Sequence, residues 1–224
     1  MLKSKKHSDT PSTPDLLSYQ TIRRIIGFVG LFMPIGLVMG TFLFTNCREI
    51  QPSISNYYYT VMGNVFTGCL CIVGIYLITY RGFDNDYIAT NLAGALAFFV
   101  AFFPTNITSG SGCTILDLDA NSFRNGVHLA SASLFFITLS YISLFLFTKS
   151  NKALTKQKRH RNTIYKICGY VMIISLLIIL LFKSGVLKDP NDNFKIVFTF
   201  ETISLFAFGI SWLTKGELYL KDKK

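Results

Sequence analysis

Between Ile25 and Phe44 the chain reads IIGFVGLFMPIGLVMGTFLF, twenty residues without a charge. About 20 predominantly apolar residues are what a helix needs to cross the roughly 30 Å hydrocarbon core of a bilayer. Five further apolar blocks follow, Tyr59–Tyr80, Ile88–Pro104, Gly126–Phe147, Tyr165–Phe182 and Phe194–Leu213, separated by polar connections. Only 15% of the residues are charged, where a soluble domain carries about 25%, and the mean hydropathy is +0.42. The expected fold is therefore all-α, a six-helix transmembrane bundle. Residues 1–24 read as a mobile cytoplasmic tail with a short interfacial helix at Asp15–Arg24, 25–215 as the membrane domain, and 216–224 as a second cytoplasmic tail. The first block runs for a full span with no small-residue cleavage site, so it is expected to stay as a helix and not to act as a cleavable signal.

The net charge of +10 would point to nucleic acid in a soluble protein. Here its distribution points to topology. With six spans starting inside, one side collects Lys3, Lys5, Lys6, Arg23, Arg24, Arg81, Lys149, Lys152, Lys156, Lys158, Arg159, Arg161, Lys166, Lys215, Lys221, Lys223 and Lys224, which is 17 of the 22 basic residues. The other side holds Arg48, Arg124, Lys183, Lys188 and Lys195. Cytoplasmic loops of membrane proteins are enriched in Lys and Arg, so both termini are expected in the cytoplasm. No nucleic-acid partner is expected. The basic loop Lys149–Lys166 is first a topology determinant and second a site for anionic lipid headgroups.

Two external segments, Thr45–Tyr58 and Thr105–Asn125, each carry one cysteine. If the outside is an oxidising space, Cys47 and Cys113 can pair; two separate free thiols are the equal alternative, since spacing in sequence does not give the Cα separation. Cys69, Cys71 and Cys168 lie in spans and read as packing residues. The Cys-x-Cys spacing lacks further ligands, so no metal is expected. The third external connection, Lys183–Asn193, is a short turn containing Asp189-Pro190.

Among the acidic residues only Glu201 falls within a drawn span. An ionisable group there costs about 2.5 kcal/mol or more unless it is paired, hydrated or neutral, so it is expected to face the bundle interior. His128 opens the fourth span from the same outer side, and Ser131 follows one turn later. The second span offers Asn64, Thr67 and Cys71 at helical spacing, preceded by Ser53, Ser55, Asn56 and the run Tyr57-Tyr58-Tyr59. Glu201, Ser204, Phe208 and Ser211 form one stripe of the last span. Together these describe one polar pocket open to the outside, walled by spans two, four and six, with Glu201 at its floor and Asn56 and Tyr58 near its mouth. The plainer reading keeps Glu201 as a register lock bonded to Asn64 or His128, the tyrosines as an interfacial aromatic belt, and Ser131, Ser133, Ser140 and Ser143 as small packing residues.

The order of these motifs, Pro52-Ser-Ile-Ser-Asn-Tyr-Tyr-Tyr59, Gly63-Asn-Val-Phe66, His128-Leu-Ala-Ser-Ala-Ser-Leu-Phe-Phe136 and Glu201, resembles the six-span DRAM/Sfk family. Tyr80-Arg-Gly-Phe-Asp84 and Gly209-Ile-Ser-Trp-Leu-Thr-Lys-Gly-Glu217 resemble segments of a related group of bacterial six-span proteins. The resemblance implies a fold and a lipid-linked role at the membrane. In the eukaryotic members the loop carries an acidic residue where Asn56 stands here.

The leading functional expectation is a lipid-associated protein without catalysis, whose pocket of Glu201, His128, Asn64, Thr67, Ser131, Ser204, Asn56 and Tyr58 holds a headgroup or a small polar ligand. An intramembrane lipid hydrolase or transferase with Glu201 and His128 as acid and base is the enzymatic alternative, although no nucleophile motif stands out. A transporter using Glu201 is the third, disfavoured because the cytoplasmic half is filled by runs such as Ile72–Ile78 and Ile173–Leu181. Three histidines, two of them expected in the cytoplasm, exclude a multi-histidine zinc site and a bis-histidine haem; no cofactor is expected. Asn106-Ile107-Thr108 is a glycosylation sequon that matters only in a eukaryotic host. Compact loops favour a bacterial inner membrane.

Overall fold

A computed structural model describes residues 13–82, 86–107, 113–150, 153–187 and 195–220, with side chains described from Tyr19 onward. Thr108 of the sequon, Phe83 and Asp84 of the Tyr80–Asp84 motif, the Asp189-Pro190 turn, Phe194, and residues 1–12 and 221–224 of the two tails lie outside the described residues. Helix α1 runs Thr13–Phe44, α2 Gly63–Thr79, α3 Asp86–Phe102, α4 Ser122–Tyr141, α5 Lys156–Lys183 and α6 Ile196–Lys215. Among the described residues there is no strand. Four helical segments, Tyr19–Phe44, Ser122–Leu146, Lys156–Lys183 and Ile196–Lys215, are long and apolar enough to cross a membrane, and α2 and α3 are shorter apolar helices. These four helices mark a membrane protein.

The helices pack in chain order, each against the next, and α6 returns to α1, closing a ring. Two pairs of glycines set the tightest crossings. A Cβ on Gly209 would lie 2.7 Å from the Gly27 carbonyl oxygen, and one on Gly94 would lie 2.7 Å from that of Gly74. Small residues let helix backbones approach where lipid supplies no hydrophobic drive for association. Outward, the ring is apolar: Ile25, Phe28, Phe32, Ile35, Met39 and Leu43 form one exposed stripe of α1, recurring at the three- and four-residue spacing of a single helix face. An exposed apolar surface of that extent suits lipid contact and not water.

The sequence boundaries shift in informative places. The segment expected as a separate interfacial helix, Asp15–Arg24, is continuous with the first span. The second span starts later than Tyr59, because Ser55–Tyr59 forms a 3-10 turn that folds back into the ring. That turn also corrects the aromatic-belt reading: Tyr57 and Tyr59 are fully buried, and only Tyr58 is half-buried. Helix α4 continues as a π-helical turn, Ile142–Leu146, which turns Ser143 toward its neighbours. The Ser143 hydroxyl reaches the Tyr165 carbonyl and the Ser211 hydroxyl, each at 2.8 Å, joining α4, α5 and α6.

One end of the ring is closed by Tyr80, Phe147, Tyr165 and Trp212, whose rings meet edge to face or tilted, with Phe147 5.1 Å from Trp212 and 5.4 Å from Tyr165 between centroids. Arg23, Lys158 and Lys215 lie over Tyr80, Tyr165 and Phe147, 5.0–5.5 Å from the ring centres, within cation–π range. Part of the expected C-terminal tail is tied to the same end. Arg24 Nε donates to the Gly216 carbonyl at 2.9 Å and Arg161 to that of Leu220 at 2.6 Å. Asp86 also lies in a helix and is buried, so Glu201 is not alone as an intrahelical acid: Asp86 pairs with Lys149 Nζ at 2.6 Å.

Candidate functional site

At the opposite end lies a cavity of about 460 Å³. Helices α4 and α5 face each other across it, with Leu129, Ala132, Ser133 and Phe136 on one side and Leu176, Ile179, Leu180 and Lys183 on the other. Each set recurs every three or four residues, so each is one helical face. Ser53, Ser55 and Asn56 of the α1–α2 loop cover it from the ring interior, Thr105, Asn106 and Asn125 border its mouth, and His128 and Glu201 complete it. Glu201 and Ser55 also border a second chamber of about 40 Å³ among Met33, Phe66, Leu70 and Val100.

The loop is held in place by two side chains that reach it from helices, Glu201 and His128. Glu201 Oε2 accepts a 2.6 Å hydrogen bond from the Ile54 N–H. The bond satisfies a donor at the start of the 3-10 turn that has no partner within the turn. His128 Nδ1 lies 2.7 Å from the Phe103 carbonyl, and Nε2 lies 2.9 Å from Ser55 Oγ. A carbonyl only accepts, so Nδ1 carries the proton, and on the neutral ring Nε2 is left to accept from the Ser55 hydroxyl. Asn125 Oδ1 accepts from the Thr105 hydroxyl and the Asn106 N–H, both at 2.9 Å, tying the α3–α4 connection to α4.

Inside the loop, Ser53 Oγ donates to Asn56 Oδ1 at 2.6 Å and accepts from the Asn56 N–H at 3.1 Å. The Tyr57 hydroxyl accepts from the Gln51 N–H at 3.4 Å, and burial pushes that hydroxyl up to about 12, so it stays protonated at neutral pH. Tyr59 donates to the Thr105 carbonyl. A disulfide joins Cys47 to Cys113 with Cα atoms 5.4 Å apart, linking the α1–α2 loop to the α3–α4 connection. Glu49 sits beside that pair, but the sulfurs are spent on each other and offer no thiolate to a metal.

Of the residues read as pocket-forming, Glu201, His128 and Asn56 border one cavity. The others do not join them. Asn64 is exposed on α2 and Thr67 is half-buried there, while Tyr58 packs edge-on against Tyr59. Ser131 and Ser204 are buried in the bundle and lie outside the cavity lining. The wall expected from span two is supplied instead by the loop before it and by α5, because the 3-10 turn inserts between α2 and the cavity.

No family model matches the chain, nor does any curated protein or solved structure. The site is therefore read from its own chemistry. Sequence reasoning passed over Lys183, Asn125 and the Phe103 carbonyl, and noted Ser55 only as a polar neighbour of the tyrosines. A hydroxyl two residues before a tyrosine carries no signal that a histidine 73 positions later will meet it.

Proposed function

We propose that the chain is a six-span protein of a bacterial inner membrane, with both termini in the cytoplasm, whose outward cavity binds a membrane lipid or another amphiphile. The carrying observation is the cavity's division between a polar floor, Ser53, Ser55, Asn56, His128 and Glu201, and apolar walls from Leu129, Phe136, Leu176, Ile179 and Leu180. A ligand that is polar at one end and apolar along the rest meets both at once. Leu129 and Leu180, on facing helices, are also exposed, which suits sideways entry from the lipid phase. At about 460 Å³ the space falls in the usual range for small-molecule sites, enough for a headgroup and the start of an acyl chain.

Six spans follow if α2 and α3 cross as well. Their 17 residues correspond to about 26 Å of helix, the short end of what spans require. Arg23, Arg24, Lys149, Lys158, Arg161 and Lys215 gather at the aromatic end, which favours that end as cytoplasmic, and the same aromatic closure speaks against a transport path. The DRAM/Sfk resemblance agrees with this lipid-linked reading.

The test is extraction in a lipid-retaining polymer followed by mass spectrometry of bound lipid. The expected result is one lipid species retained by wild type in near-stoichiometric amount and lost from Ser133→Trp, which fills the cavity between α4 and α5. Equal retention by both proteins removes the reading.

A further inference from the structure

We infer that Ser55 and His128 form a nucleophile–base pair that cleaves an ester bond of a lipid acyl chain held in the outward cavity. This rests on the binding reading above and goes beyond it. A serine hydroxyl is a poor nucleophile unless an adjacent base takes its proton, and the base must be oriented by a third group. All three are in place: Ser55 Oγ lies 2.9 Å from His128 Nε2, and the far nitrogen of the same ring is fixed by the Phe103 carbonyl at 2.7 Å. That carbonyl sets the tautomer in which Nε2 is the free base. Ser55 and His128 both border the cavity, so the pair faces the space a ligand would fill.

The cavity also offers donors for the charge that develops on the carbonyl oxygen. Asn56 and Asn125 each spend Oδ1 on the protein, which leaves both side-chain amide N–H groups to a ligand, and Lys183 stands on the opposite wall. Preorganised donors of this kind are commonly the largest single contribution to acyl-transfer catalysis. The apolar faces of α4 and α5 would take the acyl chain.

In the first step Ser55 Oγ bonds to the ester carbonyl carbon while its proton passes to His128 Nε2. The carbon–oxygen bond to the alcohol then breaks, and that oxygen leaves with the proton from Nε2. In the second step water attacks the acyl-serine carbonyl and gives a proton to Nε2. The acyl–Oγ bond breaks, Oγ recovers the proton, and a fatty acid is released. Water is the only co-reactant, and His128 Nδ1 keeps its proton throughout, donating it to the Phe103 carbonyl in a hydrogen bond.

The test uses the full chain in nanodiscs of phosphatidylethanolamine and phosphatidylglycerol, treated with an alkyl fluorophosphonate. The adduct is mapped by peptide mass spectrometry, and untreated discs are followed for lysophospholipid and free fatty acid. Expected are a phosphonyl adduct on Ser55 with loss of fluoride, no adduct in Ser55→Ala, and labelling at least ~100-fold slower in His128→Gln, the usual size of a general-base contribution. Wild-type protein that retains a lipid in the cavity yet gives no adduct on Ser55 overturns the hydrolase and leaves the binding reading standing. Wild type with neither adduct nor lipid overturns both. Unchanged labelling in a folded His128→Gln variant removes the pair, and the wild-type measurement decides even if a variant does not fold.

Discussion

Glu201 shows how a costly residue is retained in a bundle. Its carboxyl group meets a backbone donor, the Ile54 N–H, at 2.6 Å, where the plainer sequence reading offered side-chain partners, Asn64 or His128. Hydrogen bonds to a charged group contribute about 1.5–3 kcal/mol and neutral ones about 0.5–1.5. Glu201→Gln should cost no more than about 1 kcal/mol, since an oxygen acceptor for the Ile54 N–H remains. Glu201→Leu should cost about 2–3 kcal/mol, because the buried Ile54 N–H is left without a partner. Thermal unfolding in detergent measures both, and hydrogen exchange should show the loosening confined to the 51–60 loop. Equal stability of wild type and Glu201→Leu would mean that the tether carries nothing. The residue itself stood out in the sequence, as an acid in an apolar span. Its partner was not, because a backbone N–H has no letter of its own.

At the scale of elements, the glycines divide by what surrounds them. Gly94 faces Gly74 so closely that an added Cβ would lie 2.7 Å from a backbone oxygen and 2.6 Å from Ile78. Gly94→Ala forces α2 and α3 apart, at a cost of about 1–3 kcal/mol typical of overpacking. Gly68, also in α2, has open space where a Cβ would go, so Gly68→Ala should be neutral or stabilising by about 0.5–1 kcal/mol through helix propensity. The melting temperature should fall in Gly94→Ala and hold or rise in Gly68→Ala; a comparable fall in both would contradict the packing described for α2 and α3. The element most poorly legible was the start of the second helix. Tyr57-Tyr58-Tyr59 has the composition of an interfacial belt, and only the 3-10 turn, pinned from α4 by His128 and from α6 by Glu201, takes two of the three rings into the interior.

For the whole molecule, alternating helices place residues 45–62, 103–107, 113–121 and 184–187 at the cavity end and residues 80–82, 147–150 and 153–155 at the aromatic end. The proposed orientation makes a direct prediction. In a variant with Cys69, Cys71 and Cys168 replaced by serine, an impermeant thiol reagent applied to intact cells should label Leu187→Cys and spare Lys156→Cys. The reverse pattern would turn the cavity toward the cytoplasm. The Cys47–Cys113 disulfide agrees with the expected orientation, since such bonds persist on the oxidising side of a membrane.

Helix number, approximate helix positions and the uneven distribution of charge are properties of residue order, because hydrophobicity and charge act locally on each segment. They could be read from the chain alone, as could the placement of Glu201 and His128 within helices. Which residues meet at the cavity depended on tertiary structure. Ser55 comes to His128 and Ile54 to Glu201 only because a 3-10 turn folds a loop into the mouth of a closed ring. Asn64 and Thr67 are left out of the cavity by the same fold. Contacts across 73 and 147 positions arise from the packing of helices against one another, and periodicity within a helix carries no information about them.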